Sequence, residues 1–245
     1  MRISQTKTDR GTVFTLSADG RSTAVHLGNH AALDGLTESN RALSEHMDRA
    51  YKTFQPDVAI AELRKVAKPT LASVRKAIEA GRKERRAITE AEAVLRAVPV
   101  SVDMSLASER RARFAKMDRV AQMQAVQAAD LPDLAALVAD GNLADIAPEA
   151  FTMAEQRYIA LAHIARTGML AGFERQPTLA MLTATGPDMA EAERAANDAL
   201  DQHQARKDAM QNVEATLQHQ IALLAVALNM TPQNVLTEVL KVEAA

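Results

Sequence analysis

The stretch that decides the fold runs over residues 186–232 and reads GPDMAEAERAANDALDQHQARKDAMQNVEATLQHQIALLAVALNMTP. Pro187 suits the first position of a helix, where its missing N–H is not needed, and the carboxylate of Asp188 would complement the helix dipole. No further Gly or Pro occurs before Pro232. The sequence therefore predicts one helix over residues 187–229, about 43 residues and roughly 64 Å long, which is several times the usual helix length.

Apolar and small side chains recur along this predicted helix in alternating steps of three and four residues. Such spacing is typical of the a and d positions that form the seam of a coiled coil. The first half of the seam is mostly alanine and has little apolar area to bury, so packing in a larger bundle is favoured over an isolated two-stranded coiled coil. Packing of this face inside its own chain stays an open alternative. The seam positions are Met189, Ala192, Ala196, Ala199, His203, Arg206, Met210, Val213, Leu217, Gln220 and Leu224.

The composition limits the possible classes of protein. The chain has 245 residues, of which 47% are hydrophobic, so one large domain or two small ones can form a core. Only 3% are aromatic, and the eleven methionines suit adaptable contacts between helices. Because there is no cysteine, disulfides, thiolate catalysis and Cys-ligated metals are excluded. We find no signal-peptide pattern and no membrane-spanning run of about 18–20 apolar residues, so we expect the protein in the cytoplasm or in a virion assembled there.

Residues 2–27 are the only part of the sequence that favours β-structure. The segment 12–16 is rich in β-forming residues and is flanked by Asp and Gly, which favour tight turns. Residues 3–8 and 23–27 are expected to be its outer strands, in a hairpin or meander. Because three short strands are marginal alone, we expect one face to pack on a helix or on a strand of another chain.

The rest of the chain favours helices, so the predicted fold class is mainly α: an elongated helical bundle with one very long helix and a small N-terminal β element. Residues 105–129 predict a second long helix, and Thr89 with Glu92 has the spacing of a capping box at a helix start. Pro99 predicts an extended linker or an added strand over residues 98–102. The predicted segments are a β element at 1–30, a helical segment at 36–97 and a helical body at 103–245.

Charge is distributed unevenly along the chain. Residues 64–119 carry fifteen basic and seven acidic side chains, a net charge of +8, whereas residues 120–245 carry seven and sixteen, a net charge of −9. These two parts can attract one another within a chain or between subunits. Two basic clusters are candidates for contacts with phosphate groups or with an acidic partner: Arg82, Lys83, Arg85 and Arg86, and then Arg110, Arg111 and Arg113.

The basic clusters have two interpretations. Nucleic-acid phosphates would bind them through counterion release, which would make the protein a nucleic-acid-binding or packaging protein that uses residues 75–119. The interleaved carboxylates of Glu79, Glu84 and Glu109 and the scarcity of aromatic side chains for base stacking favour a solvated face or an interface between subunits.

Signals for metal binding and catalysis are weak. His26 and His30 are four residues apart, but a zinc site needs further ligands, and we identify none. The sequence contains no Gly-rich phosphate loop, no G-x-S-x-G motif and no H-E-x-x-H motif. We therefore expect no metal site, no cofactor and no enzymatic activity, with an enzyme that lacks a linear motif as the remaining alternative.

These observations favour a non-enzymatic structural or assembly subunit of a multi-protein particle, such as a bacteriophage virion component (head, connector, tail or internal protein). The expected partners are other protein subunits in a multi-copy homo- or hetero-oligomer, with nucleic acid as an alternative. In this hypothesis the β element adds a strand to a neighbour, while the long helix and the basic clusters make further contacts.

Overall fold

The protein is mainly helical, as predicted, with one long helix and a small sheet near its N-terminus. This computed structural model describes residues 2–18, 21–96, 104–139, 141–142 and 144–242. Within these residues the chain forms three strands, nine α-helices and two short 3₁₀ turns. The strands are β1 (Arg2–Thr8), β2 (Gly11–Ala18) and β3 (Arg21–Gly28); the helices are α1 (Leu36–Thr53), α2 (Pro56–Val66), α3 (Lys68–Arg96), α4 (Met104–Ala115), α5 (Arg119–Ala128), α6 (Leu131–Val138), α7 (Pro148–Thr167), α8 (Met189–Ala227) and α9 (Pro232–Lys241); the 3₁₀ turns are Ala31–Leu33 and Met169–Gly172.

The sheet is an antiparallel meander in the order β1–β2–β3, which confirms the predicted N-terminal meander. Phe14 on β2 lies opposite Gln5 on β1 and Val25 on β3. Successive side chains point to opposite faces, and Phe14 and Val25 belong to the buried face, which shares a core with α1. Gly11 has a φ of 138°, and a Cβ there would clash with the carbonyl oxygen of Leu27. Only glycine therefore allows this register at the beginning of β2.

The long helix α8 has 39 residues, which corresponds to roughly 58 Å. It begins at Met189 rather than at Pro187, so the prediction that Pro187 is the first helical residue is wrong. The reason is the side chain of Asp188, whose Oδ1 accepts a hydrogen bond from the N–H of Glu191 at 3.0 Å and thereby caps the helix. Pro187 instead forms an antiparallel bridge with Glu174.

The helix α8 ends at Ala227, two residues before the end of the predicted range 187–229. Asn229 adopts a left-handed conformation with a φ of 47°, and the N–H of Met230 donates to the carbonyl oxygen of Ala225 at 2.9 Å. This arrangement satisfies carbonyl groups of the last turn and ends the helix without a glycine.

The predicted second long helix is wrong, because the structure has two helices there, α4 and α5. Oδ1 of Asp118 accepts a hydrogen bond from the N–H of Ala121 at 2.9 Å and caps α5. The buried side chain of Gln122 donates to the carbonyl oxygens of Phe114 at 3.3 Å and Met117 at 3.1 Å. These bonds satisfy backbone groups at the break and stabilise it.

The predicted helix start at Thr89 is also wrong, because α3 continues without a break from Lys68 to Arg96. No Gly or Pro lies between Gly81 and Pro99, so nothing interrupts the backbone hydrogen bonds at that point. The predicted linker or strand over residues 98–102 lies outside the described residues.

Contacts divide the chain into two compact units, to which α3 and α8 both contribute residues. The first unit consists of Met1–Ile88 with Ala205–Ala245, and the second unit consists of Thr89–Gln204. The end of α8 and α9 share a core with the sheet and with α1, α2 and α3, which joins the two ends of the chain in one unit. The division made from the sequence follows the order of the chain instead and stays a prediction: 1–30, 36–97 and 103–245.

One arginine on α7 makes three polar contacts within the second unit. Nη1 of Arg157 donates to the carbonyl oxygens of Val126 at 2.8 Å and Ala129 at 2.7 Å. Its Nη2 also forms an ion pair with Glu193 on α8 at 3.1 Å. The guanidinium group thereby joins the end of α5 to α7 and α8 beside a core of apolar side chains. The largest of these include Phe114, Leu134, Leu137, Tyr158 and Leu161.

Candidate functional site

The segment between α7 and α8, residues 173–188, forms a closed loop that we call the apolar loop. At its base the N–H of Asp188 donates to the carbonyl oxygen of Phe173 at 2.8 Å, and the N–H of Arg175 donates to that of Gly186 at 2.9 Å. Gly186 has a φ of 92°, a left-handed conformation that glycine adopts with little strain. This conformation allows the chain to form the two hydrogen bonds at the base of the loop. These bonds close the loop at its base.

The tip of the apolar loop is a second closed turn. Thr178 and Met181 exchange two backbone hydrogen bonds at 3.1 and 3.0 Å, and Oγ1 of Thr178 accepts another from the N–H of Met181 at 3.2 Å. The N–H of Ala184 donates to the carbonyl oxygen of Met181 at 3.3 Å. The tip is therefore held by hydrogen bonds of its own.

Three large apolar side chains of this tip face solvent. The exposed fractions are 99% for Leu179, 71% for Leu182 and 56% for Met181. Single exposed apolar side chains are normal, whereas several together mark interaction sites. Binding residues commonly lie on loops that are held in place by a scaffold. The tip is therefore our first candidate for contact with another molecule.

Sequence reasoning missed the apolar loop. The sequence shows only a short apolar run between Pro177 and Gly186, and such a run indicates a buried segment as readily as an exposed one. The signal that could have found it is the pair Pro177 and Pro187, ten positions apart. This spacing leaves room for a turn but little room for a packed helix.

The second candidate is a groove in the first unit between α3, α8 and α9, which we call the apolar groove. It has a volume of about 470 Å³. A Cβ at Gly81 would come within 3.3 Å of the Cε of Met210, so the glycine allows α3 and α8 to approach closely. The apolar side chains of its lining are Ile78, Met210, Leu217, Ile221, Pro232 and Leu236.

The rim of the apolar groove is polar. Arg85 forms an ion pair with Glu214 across it. Arg82 is exposed and forms no ion pair with any residue that the structure describes. Gln218 and Gln233 are exposed on the α8 and α9 sides. A ligand that fills this groove would therefore need an apolar surface with hydrogen-bonding groups at its edge.

The predicted basic cluster on α4 is used inside the second unit. Arg110 and Arg113 both bond to Asp133, at 3.0 and 2.5 Å. Arg111 donates to the carbonyl oxygen of Ala136 at 3.2 Å. These three guanidinium groups thus connect α4 to α6, and their charge is partly neutralised by the chain itself.

The predicted basic cluster on α3 belongs to the first unit and is less neutralised. Arg85 is paired with Glu214. Arg82, Lys83 and Arg86 are exposed and have no ion pair within the described part of the chain. Because Arg82 and Arg86 are four positions apart, they share one side of the helix. These three side chains, which we call the α3 cations, are free to meet a partner.

The predicted seam of α8 is largely buried inside its own chain. Its first part lies in the core of the second unit and its second part in the core of the first unit. Met189, at its beginning, is 40% exposed. This burial corresponds to the alternative of packing within the chain, and a seam contact with another chain stays a prediction. Ala192, Ala196, Met210, Val213 and Leu224 are buried, and Ala199 and Leu217 are half-buried.

His26 and His30, which were considered as metal ligands, line a cavity of about 490 Å³ together with His219. Nδ1 of His30 already accepts a hydrogen bond from the N–H of Ala32 at 3.1 Å. The described residues contain no group of three or more metal-binding side chains placed to hold an ion.

None of the helices in the described residues combines the length and apolar character needed to cross a bilayer.

Two titratable side chains on α7 are shifted by their surroundings. Burial raises the pKa of Tyr158, and the charge of Arg166 partly opposes this effect. Burial lowers the pKa of His163, and the charge of Arg166 adds to this effect. Tyr158 is 3% exposed, and its hydroxyl group has no hydrogen-bond partner in the described structure. Both shifts follow from the packing of α7 in the second unit.

The chain was compared with known proteins in three ways. No family model matches it, and neither the curated proteins nor the solved structures gave a match. The two candidate surfaces are therefore interpreted from their own geometry.

Proposed function

We propose that the protein is a non-enzymatic assembly subunit that binds other protein subunits through the apolar loop. The observation that carries this proposal is the exposure of Leu179, Met181 and Leu182 on a turn closed by its own hydrogen bonds. Apolar surface in water is unfavourable by roughly 25 cal/mol per Å², and a partner that covers the tip removes this cost.

The fixed conformation of the apolar loop supports binding as well. A loop that is already held in one conformation loses little conformational freedom when it docks, and this loss is a main cost of association. The bonds at its base and its tip supply that order. The loop can thus be recognised with the conformation it has in the free chain.

The sheet offers a further contact in the same proposal. In the three-stranded order β1–β2–β3, the outer edges of β1 and β3 pair with no other strand within the described residues. Exposed edges of this kind accept an added strand from another chain. A neighbouring subunit could bind there in addition to the apolar loop.

The proposal places the protein in a multi-copy particle. A bacteriophage virion component, and a location in the cytoplasm or in a virion assembled there, stay predictions within it. An enzyme without a linear motif stays the alternative drawn from the sequence.

The test is the mass of the protein in solution over a range of micromolar concentrations. A single chain has a mass of 26.5 kDa, and we expect light scattering to show larger species. In the loop variant Leu179→Ser/Met181→Ser/Leu182→Ser, we expect the concentration for half-assembly to rise at least about tenfold. Val120→Ser is the matched control, since Val120 is 67% exposed and lies outside the loop.

Two results would remove this proposal. One is a loop variant that assembles as the wild type does. The other is a wild-type monomer at all concentrations and salt levels, together with no protein partner whose capture depends on the three apolar side chains of the loop.

A nucleic-acid-binding or packaging function is the second candidate, and the α3 cations favour it. Arg82, Lys83 and Arg86 present unpaired positive charge on one helix of the described structure. Such charge binds phosphates with an affinity that falls steeply as salt is added.

A further inference from the structure

We propose that the apolar loop of one copy docks into the apolar groove of a second copy of this chain. This inference rests on the proposed function, because it names the partner of the same loop. It is carried by the agreement of the two surfaces in volume, polarity and charge.

The volumes agree. The side chains of Leu179, Met181 and Leu182 together hold about twelve non-hydrogen atoms, which need roughly 360 Å³ at roughly 30 Å³ for each water-sized group. The groove has a volume of about 470 Å³, so it is large enough for the three side chains.

The polarity agrees as well. Ile78, Leu217 and Ile221 in the lining of the groove are only half-buried. Docking would therefore remove apolar surface of both partners from water. Apolar anchors that fill a pocket are the contacts that dominate protein interfaces.

The polar rim matches the backbone of the turn. Arg82, Gln218 and Gln233 at the rim carry N–H donors. The carbonyl oxygens of Thr178 and Met181 are used within the turn, whereas Leu179 and Leu182 each carry a backbone carbonyl group that can accept a hydrogen bond. Hydrogen bonds at the edge of a filled pocket would fix the orientation of the loop.

The charges are complementary. The charged residues of the apolar loop, Glu174, Arg175 and Asp188, lie at its base and have a net charge of −1. The groove is bordered on its α3 side by Arg82, next to Lys83 of the α3 cations, which is exposed. Opposite charges at the border of an interface speed association and set its register, with an effect that weakens in salt.

This contact has a consequence for the assembly. The loop and the groove are different surfaces of the chain, so the contact is head-to-tail rather than self-complementary. A head-to-tail contact lets every copy bind two neighbours, and it builds a ring or a growing chain of subunits. The inference therefore gives the proposed assembly subunit a specific mode of self-association.

The test is a complementation experiment with two variants. The loop variant Leu179→Ser/Met181→Ser/Leu182→Ser keeps an intact groove. The groove variant Leu236→Glu keeps an intact loop and places a charge in the lining. Each variant alone should remain a monomer. Their equimolar mixture should form a complex of two chains and grow no further, because the intact loop of one variant fills the intact groove of the other and the remaining loop and groove carry the substitutions.

Two further variants make the result independent of folding. Gln218→Trp fills the groove from its exposed rim and should block assembly as Leu236→Glu does. Leu240→Glu adds the same charge to α9 at a position that is 47% exposed and does not line the groove. Leu240→Glu should assemble as the wild type does, and far-UV circular dichroism should show the same helix content for all variants.

The outcomes separate this inference from the proposed function. If the loop variant is monomeric while both groove variants assemble normally, the groove is not the partner and the proposed function stands. If the two monomeric variants form no complex when mixed, a head-to-tail contact is ruled out. If the loop variant assembles as the wild type does, both proposals fail.

Discussion

Asn40 on α1 and Gln220 on α8 exchange two hydrogen bonds in the core of the first unit. Nδ2 of Asn40 donates to Oε1 of Gln220 at 2.9 Å, and Nε2 of Gln220 donates to Oδ1 of Asn40 at 2.7 Å. Both side chains are 0% exposed. A buried amide without a partner is costly, so the pair favours one alignment of the two helices.

Removing one member of this pair should destabilise the protein more than removing both. Gln220→Met leaves the amide of Asn40 buried without its partner, and we expect the free energy of unfolding to fall by about 2–3 kcal/mol. Asn40→Leu should behave in the same way. The double variant should lie within about 1 kcal/mol of the wild type. Urea unfolding followed by circular dichroism measures these values, with Gln211→Leu on the exposed side of α8 as a control.

Additive losses in the double variant would contradict this explanation. They would mean that each amide stabilises the protein independently of the other, through contacts that do not include the observed pair.

The guanidinium group of Arg157 should be the polar contact whose loss affects the second unit most. Arg157→Met removes the bonds to two carbonyl oxygens and to Glu193, and we expect it to lower the free energy of unfolding by about 2–3 kcal/mol. Arg157→Lys should restore little, because one ammonium group cannot reproduce the fork of donors. The side chain of Arg194 is 71% exposed and pairs with Glu191, so Arg194→Ala should change stability by less than about 0.5 kcal/mol.

Thermal unfolding of the four proteins provides the comparison. If Arg157→Lys were as stable as the wild type, only the positive charge would matter. That result would contradict the role given to the two carbonyl contacts.

Local signals made most of the fold predictable. The sheet follows from alternating apolar residues and from turn-forming residues such as Gly11, because a strand needs only this pattern and one covered face. The long helix follows from the lack of Gly and Pro after Pro187. The end of α7 at Gly168, where φ is 64°, follows from the freedom of glycine.

Features that depend on distant contacts were not predictable. The break between α4 and α5 contains no Gly or Pro, and it is stabilised by the side chain of Gln122, whose Oε1 also accepts from the N–H of Ala147 at 2.9 Å. A side-chain bond across 25 positions leaves no periodic signal in the sequence. The same holds for the pairing of Arg110 with Asp133, which decides that the α4 cluster is used internally.

The candidate site was the least predictable part. Whether Leu179 or Leu182 is buried depends on which other elements of the chain cover it, and sequence periodicity gives no information on that. Charge clusters could be found from the sequence, but their partners could not. Arg82 and Arg85 look alike in the sequence, and only the structure shows that Arg85 is paired with Glu214.

Tyr158→Phe should maintain or raise stability at neutral pH and reduce the loss of stability at high pH. The hydroxyl group is buried without a partner, so its removal should raise the free energy of unfolding by about 0–1 kcal/mol. Because burial raises the pKa of Tyr158 in the folded state, the unfolded chain loses this proton first, at about pH 10. The free energy of unfolding of the wild type is therefore unaffected by this proton below that pH and falls as pH rises from there toward the folded-state pKa, whereas phenylalanine has no proton to lose.

Urea unfolding between pH 8 and pH 11, a range set by the tyrosine pKa of about 10, measures this difference. Tyr51→Phe is the matched control, since Tyr51 is the other tyrosine of the chain and is only half-buried. A Tyr158→Phe variant with the same alkaline decline as the wild type would contradict the assignment.

Any binding of the protein to nucleic acid should depend on the α3 cations and not on the α4 cluster. Replacing Arg82, Lys83 and Arg86 with Ala should reduce the slope of log K against log salt for duplex DNA by about 3, since each phosphate contact contributes about 0.9. Arg110→Ala/Arg113→Ala should change the slope by less than about 1, because Asp133 already pairs with both side chains. Fluorescence anisotropy at several salt concentrations measures the slopes. Equal reductions by the two variants, or wild-type binding that does not respond to salt, would remove nucleic acid as a partner of the α3 cations and leave an acidic protein surface as the partner to test.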